Sequence, residues 1–282
     1  MFSSDTFKSI DYIVTTELSN EPIAIFDSGL GSLSIVKEMR TVLPLENIVY
    51  LADTKNFPYG IKSQETLKEI VIRTIRSLEH YEPKLIIVAS YTPSVQFLTS
   101  LKECTSIPVL GINPPLSKAA LLTKKRHIGI MATESTLKST ELHKQIAKEI
   151  PQKIFVSMIN ASPLIDTIEN CSFIRDMKIR KSVTRETFLT SPMENIDVVM
   201  LCSTHLSLIK DFFDSLYSNV IFVDSAHNVA KEAEKFLKEN NILKKVRPRK
   251  TSVFTTGDEK KFRNLLEQMG FRYKVESFPI SI

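Results

Sequence analysis

Five short polar clusters in the sequence carry the residue types that chemistry needs. They are Asp27-Ser28-Gly29, Asp53-Thr54, Ser90-Tyr91-Thr92, Thr133-Glu134-Ser135-Thr136 and Ser203-Thr204-His205. A histidine such as His205 titrates near neutral pH and suits general acid–base work. Taken alone, it equally suits a hydrogen-bonded structural role. Ser90 or Ser203 with His205 has the composition of a hydrolase triad, but no Gly-x-Ser-x-Gly elbow accompanies it. The five histidines show neither His-x-His nor His-Glu-x-x-His spacing, so no metal site is expected. The turn Asp27-Ser28-Gly29-Leu30-Gly31 offers main-chain N–H groups to an anion. It is neither a dinucleotide fingerprint nor a Walker loop, so nucleotide binding is not expected. As a plain strand–helix turn, it would use Asp27 or Ser28 as a helix cap. Pro58-Tyr59-Gly60 reads as a turn.

Each cluster follows a short apolar run, and these runs set the architecture. Nine of them, at 23–26, 48–51, 85–89, 109–112, 128–131, 154–158, 198–201, 220–223 and 252–255, read as strands buried on both faces. Amphipathic stretches lie between them, at 33–43, 66–80, 139–149 and 226–239. Such alternation predicts parallel sheets covered by helices. The pattern also repeats. The run starting at Ile23 leads to one ending at Ser90, and the run starting at Ile128 leads to one ending at Ser203. Each serine has a threonine one or two residues on. The expected fold is therefore α/β, with two similar parallel-sheet domains facing each other across a cleft. Residues 1–20 read as an N-terminal extension ahead of the first strand. Asn113-Pro114-Pro115 marks one crossover and the region of Asp224 the other. Ligands of open parallel sheets bind beyond the carboxyl ends of the strands, which is where the five clusters fall. Together they predict a cleft for a small polar molecule.

Composition sets the remaining bounds. The 282 residues are 43% hydrophobic and 24% charged, which excludes a disordered or collagen-like chain. The three cysteines, Cys104, Cys171 and Cys202, form neither a disulfide framework nor a Cys-x-x-Cys site, so a cytoplasmic location is expected. The net charge of +5 comes largely from Lys244, Lys245, Arg247, Arg249 and Lys250. Without interleaved aromatics that cluster reads as a solvated loop, and no nucleic-acid partner is expected. No apolar run approaches the roughly 18 residues of a membrane helix, and no membrane partner is expected.

The motifs become specific as a set. Ile25-Phe26-Asp27-Ser28-Gly29-Leu30-Gly31, Leu51-Ala52-Asp53-Thr54, Pro58-Tyr59-Gly60, Val88-Ala89-Ser90-Tyr91-Thr92, Cys202-Ser203-Thr204-His205 and Val223-Asp224-Ser225-Ala226 follow one another in that order. In this the sequence resembles the glutamate racemases, within the aspartate/glutamate racemase superfamily, from about residue 22 to 260. The resemblance implies interconversion of L- and D-glutamate without a cofactor, supplying D-glutamate for peptidoglycan, often by a homodimer. It implies two cysteines, one from each half, moving a proton from one face of the substrate to the other. It also implies a first domain of residues 21–113 plus 226–282 and a second of 114–225, with a substrate site between them that includes Asp27, Ser28, Tyr59, Gly60, Tyr91, Thr92, Thr204 and His205. Asp27 and His205 would also assist catalysis, and Asp53 and Glu169 would support the site.

This chain departs from the family at the reacting positions. The family's Ala-Cys-Asn-Thr reads Ala89-Ser90-Tyr91-Thr92, and its Gly-Cys-Thr-His-Tyr-Pro reads Cys202-Ser203-Thr204-His205-Leu206-Ser207. Ser90 and Ser203 thus stand in for both catalytic cysteines. Cys202 lies one residue early, where an extended strand turns its side chain to the opposite face. Tyr91 sets a bulky ring where a short amide belongs. A thiol has a pKa of about 8.5, and an unactivated alcohol lies far above it, near bulk water. The difference of roughly 7 units is worth about 10 kcal/mol, so two unassisted serines slow the reaction by several orders of magnitude. Two expectations follow. One is a slow glutamate racemase. The other is a catalytically inactive racemase-like protein that binds an amino acid or regulates a partner.

Overall fold

The computed structural model describes residues 18–189, 191 and 193–279; of the expected N-terminal extension, residues 1–17 lie outside them. Two parallel sheets form. The first contains β1 (Ile23–Asp27), β2 (Ile48–Ala52), β3 (Leu85–Val88), β4 (Val109–Gly111), β9 (Thr251–Thr255) and β10 (Val275–Ser277), in the order β10-β9-β2-β1-β3-β4. The second contains β5 (His127–Ala132), β6 (Phe155–Asn160), β7 (Val198–Cys202) and β8 (Ile221–Val223), in the order β6-β5-β7-β8. Every strand pair in both is parallel.

The repeat seen in the sequence is a repeat of topology. The order β2-β1-β3-β4 in the first sheet is matched by β6-β5-β7-β8 in the second. Both sheets reverse direction of winding beside their first strand. In each, the crevice for a ligand opens beyond the strand ends at that reversal, between β1 and β3 and between β5 and β7. Ser90 follows β3 and Ser203 follows β7, so the two serines occupy equivalent places.

The strands form because their residues have two apolar faces to bury. Along β7, Val198, Met200 and Cys202 enter one core cluster while Val199 and Leu201 enter another. β1 divides likewise, with Ile23 and Ile25 on one side and Ala24 and Phe26 on the other. These side chains are fully or almost fully buried. Truncating one such Ile or Leu to Ala costs about 2–5 kcal/mol, so the strand ends are held on a stiff base. Among the helices, Ala226–Glu239 has the expected bounds, and Thr140–Glu149 starts one residue late because the Ser139 hydroxyl caps it by accepting from the Leu142 N–H. Gln64–Leu78 starts earlier than expected, capped by Ser63.

Three expectations are corrected. A tenth strand, β10, adds to the nine, too short and too charged to show a strand pattern. It is docked by Phe278, whose ring stacks on Tyr81 and meets Phe254 edge-on. β6 is not buried on both faces: it is the edge of its sheet, and Phe155 is 73% exposed. Lys244 is no solvated cluster member. It is buried, and its main-chain N–H donates to Glu46 Oε1 at 2.8 Å, beside the buried Lys84–Glu46 ion pair of 2.6 Å. A strand that ends a sheet and a lysine drawn inward by a distant carboxylate are both set by tertiary partners, which local composition does not encode.

Candidate active site

Asp27 ends β1 and is 2% exposed. It does not cap the following helix. The chain instead makes a short 3-10 turn, Leu30–Ser32, before the helix Leu33–Val42, and neither has a side-chain cap. The carboxylate is left for the cleft. Its Oδ1 accepts from the Ser28 N–H at 2.7 Å, its Oδ2 accepts from the Thr204 hydroxyl at 2.8 Å, and Ser90 lines the same cavity. Burial pushes its pKa up, opposed by the positive field of His205 and by these donors.

The anion that fills the Asp27–Gly31 turn comes from the protein itself. Glu169, at the end of the helix Ser162–Glu169, presents Oε2 to the Leu30 N–H at 2.7 Å and to His205 Nε2 at 2.8 Å. The approach is so close that a Cβ at Gly29 would collide with this carboxylate, and one at Gly31 with His205 and Thr204. Only glycine lets the first sheet's turn sit against these side chains of the second. His205 is 4% exposed. Burial works against its charged form, but the hydrogen bond and charge of Glu169, then Asp27 and Asp166, outweigh it and hold the imidazole pKa above its usual value.

Asp53 organises the opposite rim. It accepts from the Tyr59 hydroxyl at 2.9 Å, from the Thr256 hydroxyl at 2.8 Å and from the Asn56 amide. Tyr59 is thereby fixed against the cleft, and Gly60 comes to within van der Waals reach of Thr133, in the second sheet's half. Thr92 closes the gap on the same side: its hydroxyl lies 3.1 Å from that of Thr136 and 3.3 Å from that of Thr133, which are 3.0 Å from each other. This triangle of hydroxyls joins the helix Tyr91–Glu103 to the helix Glu134–Leu137. Thr133 and Thr136 stand in one of the five strand-end clusters, but the sequence does not mark either as a site residue. Their pairing with Thr92 across some forty residues leaves no local trace.

Asp27, Ser28, Tyr59, Gly60, Ser90, Tyr91, Thr92, Ser203, Thr204 and His205 all line one cavity of about 30 Å³. Asp53 and Glu169 stand behind it. That volume suits a water molecule, so an amino acid enters only if the two halves move apart. Tyr91 contributes wall and little polar surface. Its ring is 4% exposed and buried in the same core cluster as Ile112, Val223 and Ala226. Cys202 also borders the cavity, yet its side chain belongs to the core face of β7 with Val198 and Met200, and burial alone pushes its thiol far up. It is a neutral thiol, unsuited to act as a base. A larger cavity of about 460 Å³ lies beside the first, sharing Phe57 with it and lined by Glu169, Asp166, Lys55 and Lys261. The Glu169–His205 pair forms the partition between them. Among the described residues, no group of three or more His, Cys, Asp or Glu is placed to hold a metal, and no helix is long and apolar enough to cross a membrane.

Comparison with known proteins places this geometry. The chain is 34% identical over 243 residues to a glutamate racemase of Carboxydothermus hydrogenoformans, covering 86% of this chain and 89% of that one. The fold superposes on the crystal structure of a glutamate racemase isoform from Bacillus anthracis with a TM-score of 0.83 at 28% identity, covering 93% and 98% of the two chains. It superposes on Escherichia coli glutamate racemase, solved with L-glutamate and the activator UDP-MurNAc-ala, with a TM-score of 0.80 at 26% identity, covering 93% and 100%. The family model for Asp/Glu/Hydantoin racemase matches residues 32–233. A duplicated strand-end serine, a buried carboxylate–histidine pair and this match agree: the chain belongs to the Asp/Glu/hydantoin racemase family.

Proposed function

We propose that the cleft binds glutamate and interconverts its L and D forms without a cofactor, at a rate limited by serine in place of cysteine. The observation that carries this reading is the placement of Ser90 and Ser203 at equivalent strand ends of two repeated sheets, both lining one cavity. Removing an α-proton leaves a planar carbanion, and inversion needs an acid–base group on each face. Ser90 serves one face. Asp27, beside it, takes the hydroxyl proton as the serine oxygen accepts the α-proton. Ser203 serves the other face, giving its proton to the carbanion and regaining one through the adjacent Thr204-His205 segment. The reverse reaction exchanges these roles. Asp27 suits the first role because burial already favours its protonated form.

The lobes that part to admit substrate would be residues 21–113 with 226–282, and residues 114–225. The resemblance extends the reading to a cytoplasmic homodimer whose D-glutamate serves peptidoglycan. A second reading has its own observation: both base positions are alcohols while the polar cradle around them is intact, which suits a protein that binds an amino acid without turning it over.

Incubation with L-glutamate in D₂O, with the α-proton followed by NMR, tests the proposal. Slow loss of the α-proton signal, abolished by Asp27→Asn, supports catalysis, and no loss above the buffer rate rules it out. Calorimetry with both enantiomers then separates the alternatives. Binding without exchange selects the second reading, and no binding at millimolar ligand removes both.

A further inference from the structure

One peptide group, the one that joins Gly29 to Leu30, connects the turn after β1 to the Glu169–His205 pair, and it is held at both ends. Its N–H, on Leu30, donates to Glu169 Oε2 at 2.7 Å. Its carbonyl, on Gly29, accepts from the Tyr50 hydroxyl at 2.7 Å. Both bonds are buried. Glu169 Oε2 also meets His205 Nε2 at 2.8 Å. A continuous run of hydrogen bonds therefore leads from the Tyr50 phenol, through this peptide and the Glu169 carboxylate, to the imidazole. In such a run each bond polarises the next.

Tyr50 is built to anchor the run. It is the third residue of β2, paired with Ile25 of β1 on one side and with Val253 of β9 on the other. It is fully buried, and its ring lies 6.5 Å from that of Phe262. Burial pushes the phenol pKa well above its usual value, so the hydroxyl keeps the proton it donates. A donor carried by an inner strand fixes the plane of the peptide it binds. Rotation of that plane would break the Tyr50 bond and swing the Leu30 N–H away from Glu169 together.

We propose that Tyr50 is a positioning residue: by holding the Gly29 carbonyl it aims the Leu30 N–H at Glu169, and so keeps that carboxylate in line with His205. The proposal rests on the racemase reading only in treating His205 as the group that serves Ser203. The charged groups that face His205 are Glu169, Asp27 and Asp166. Those that face the phenol are Asp27 and Glu169, with Tyr273 the further titratable group. Of these, only Glu169 is bonded to the peptide that Tyr50 holds.

Histidine titration by NMR on the full chain, without ligand, tests the relay in wild type, Tyr50→Phe, Glu169→Gln and the double variant. Tyr50→Phe keeps the ring and removes the donor. The expected result is a fall of about half a unit in the His205 pKa, toward the ordinary value near 6.5, with the Leu30 amide proton moving to higher field. In the Glu169→Gln background the side chain has no charge to align, so Tyr50→Phe adds almost nothing to the His205 titration. In the wild type, a reading that needs no variant to fold, the Tyr50 Cζ signal follows the His205 midpoint. Unchanged His205 and Leu30 signals in folded Tyr50→Phe overturn the proposal. So does a rise in the His205 pKa, which marks a bond that only draws charge from the carboxylate. So do an equal shift in both backgrounds, which marks a path outside Glu169, and a Tyr50 signal that stays flat through the midpoint. If His205 responds as expected but L-glutamate shows neither binding nor α-proton exchange, the relay stands and the racemase reading falls. If glutamate exchanges while His205 does not respond, the racemase reading stands and the relay falls.

Discussion

The two halves of the cleft share a topology and differ in how they supply charge. In the first sheet Phe26 pairs with Val88, which sets Asp27 level with Ala89 and Ser28 level with Ser90. In the second, Ala132 pairs with Cys202, which sets Thr133 level with Ser203. The counterpart of Asp27 is therefore Ala132, and the second half has no carboxylate on its own strand end. Its charge comes from His205, in the first turn of the following helix, and from Glu169, which also holds the Leu30 N–H of the first half. The duplicated scaffold fixes where the two serines stand. The unequal partners decide what each can do: a carboxylate whose pKa is raised by burial on one side, an imidazole whose pKa is raised by Glu169 and Asp27 on the other.

The largest effect expected from breaking this asymmetry is at Glu169. Glu169→Ala leaves a buried imidazole and a buried N–H without their acceptor, and calorimetric unfolding should show a loss of about 3 kcal/mol. Glu169→Gln, which keeps an acceptor, should recover much of it. A loss of less than about 1 kcal/mol in the alanine variant would mean that the Glu169 bond to the Leu30 N–H does not hold the halves together. Next in size is Thr204→Val, which removes the donor to Asp27 across the cleft. A cost of about 1–2 kcal/mol is expected, with a further rise in the Asp27 pKa readable by carbon NMR of the carboxyl. An unchanged carboxyl titration would contradict the contact.

The smallest effects are in pH dependence, and they separate the two halves by window. The folded-state pKa of His205 is raised. Its contribution is therefore full below the unfolded value of about 6.5 and is lost as pH rises through the folded value. That of Asp27 is also raised, so the folded state disfavours its charge, and stability is lost from about pH 3.9 upward. Thermal unfolding across pH should show Asp27→Asn gaining on wild type as pH rises from about 4 toward neutrality. His205→Gln should instead lose its disadvantage only above about pH 6.5. One common window for both variants would show that the two groups titrate as a single unit.

Much of the site is legible in the sequence because parallel sheets expose their chemistry at strand ends. That rule alone selects Asp27, Ser90, Thr133 and Ser203, and the period of two along β7 foretells that Cys202 and Ser203 lie on different faces. The remainder depends on contacts far apart in sequence. The Glu169 bond to the Leu30 N–H spans 139 residues, so the sequence offers a turn fit for an anion without saying whose anion fills it. The bulk of Tyr91 is plain in the sequence, but the core cluster it joins, with Ile112, Val223 and Ala226, is assembled from distant segments, so a ring expected in the substrate's place is packed into the core. The exposed edge of β6 has the same apolar composition as a central strand, and only strand order separates the two.

The central claim is that the cleft is a complete racemase site limited by its two alcohols. Replacing both by thiols tests it most directly. In D₂O, the Ser90→Cys, Ser203→Cys double variant should exchange the α-proton of L-glutamate at least about 10³-fold faster than wild type, since each thiol ionises roughly 7 pKa units more readily than the alcohol it replaces. Each single variant should fall far short of the pair in converting L- to D-glutamate, because inversion needs a competent group on both faces. A folded double variant that binds glutamate yet exchanges no faster than wild type would contradict the account.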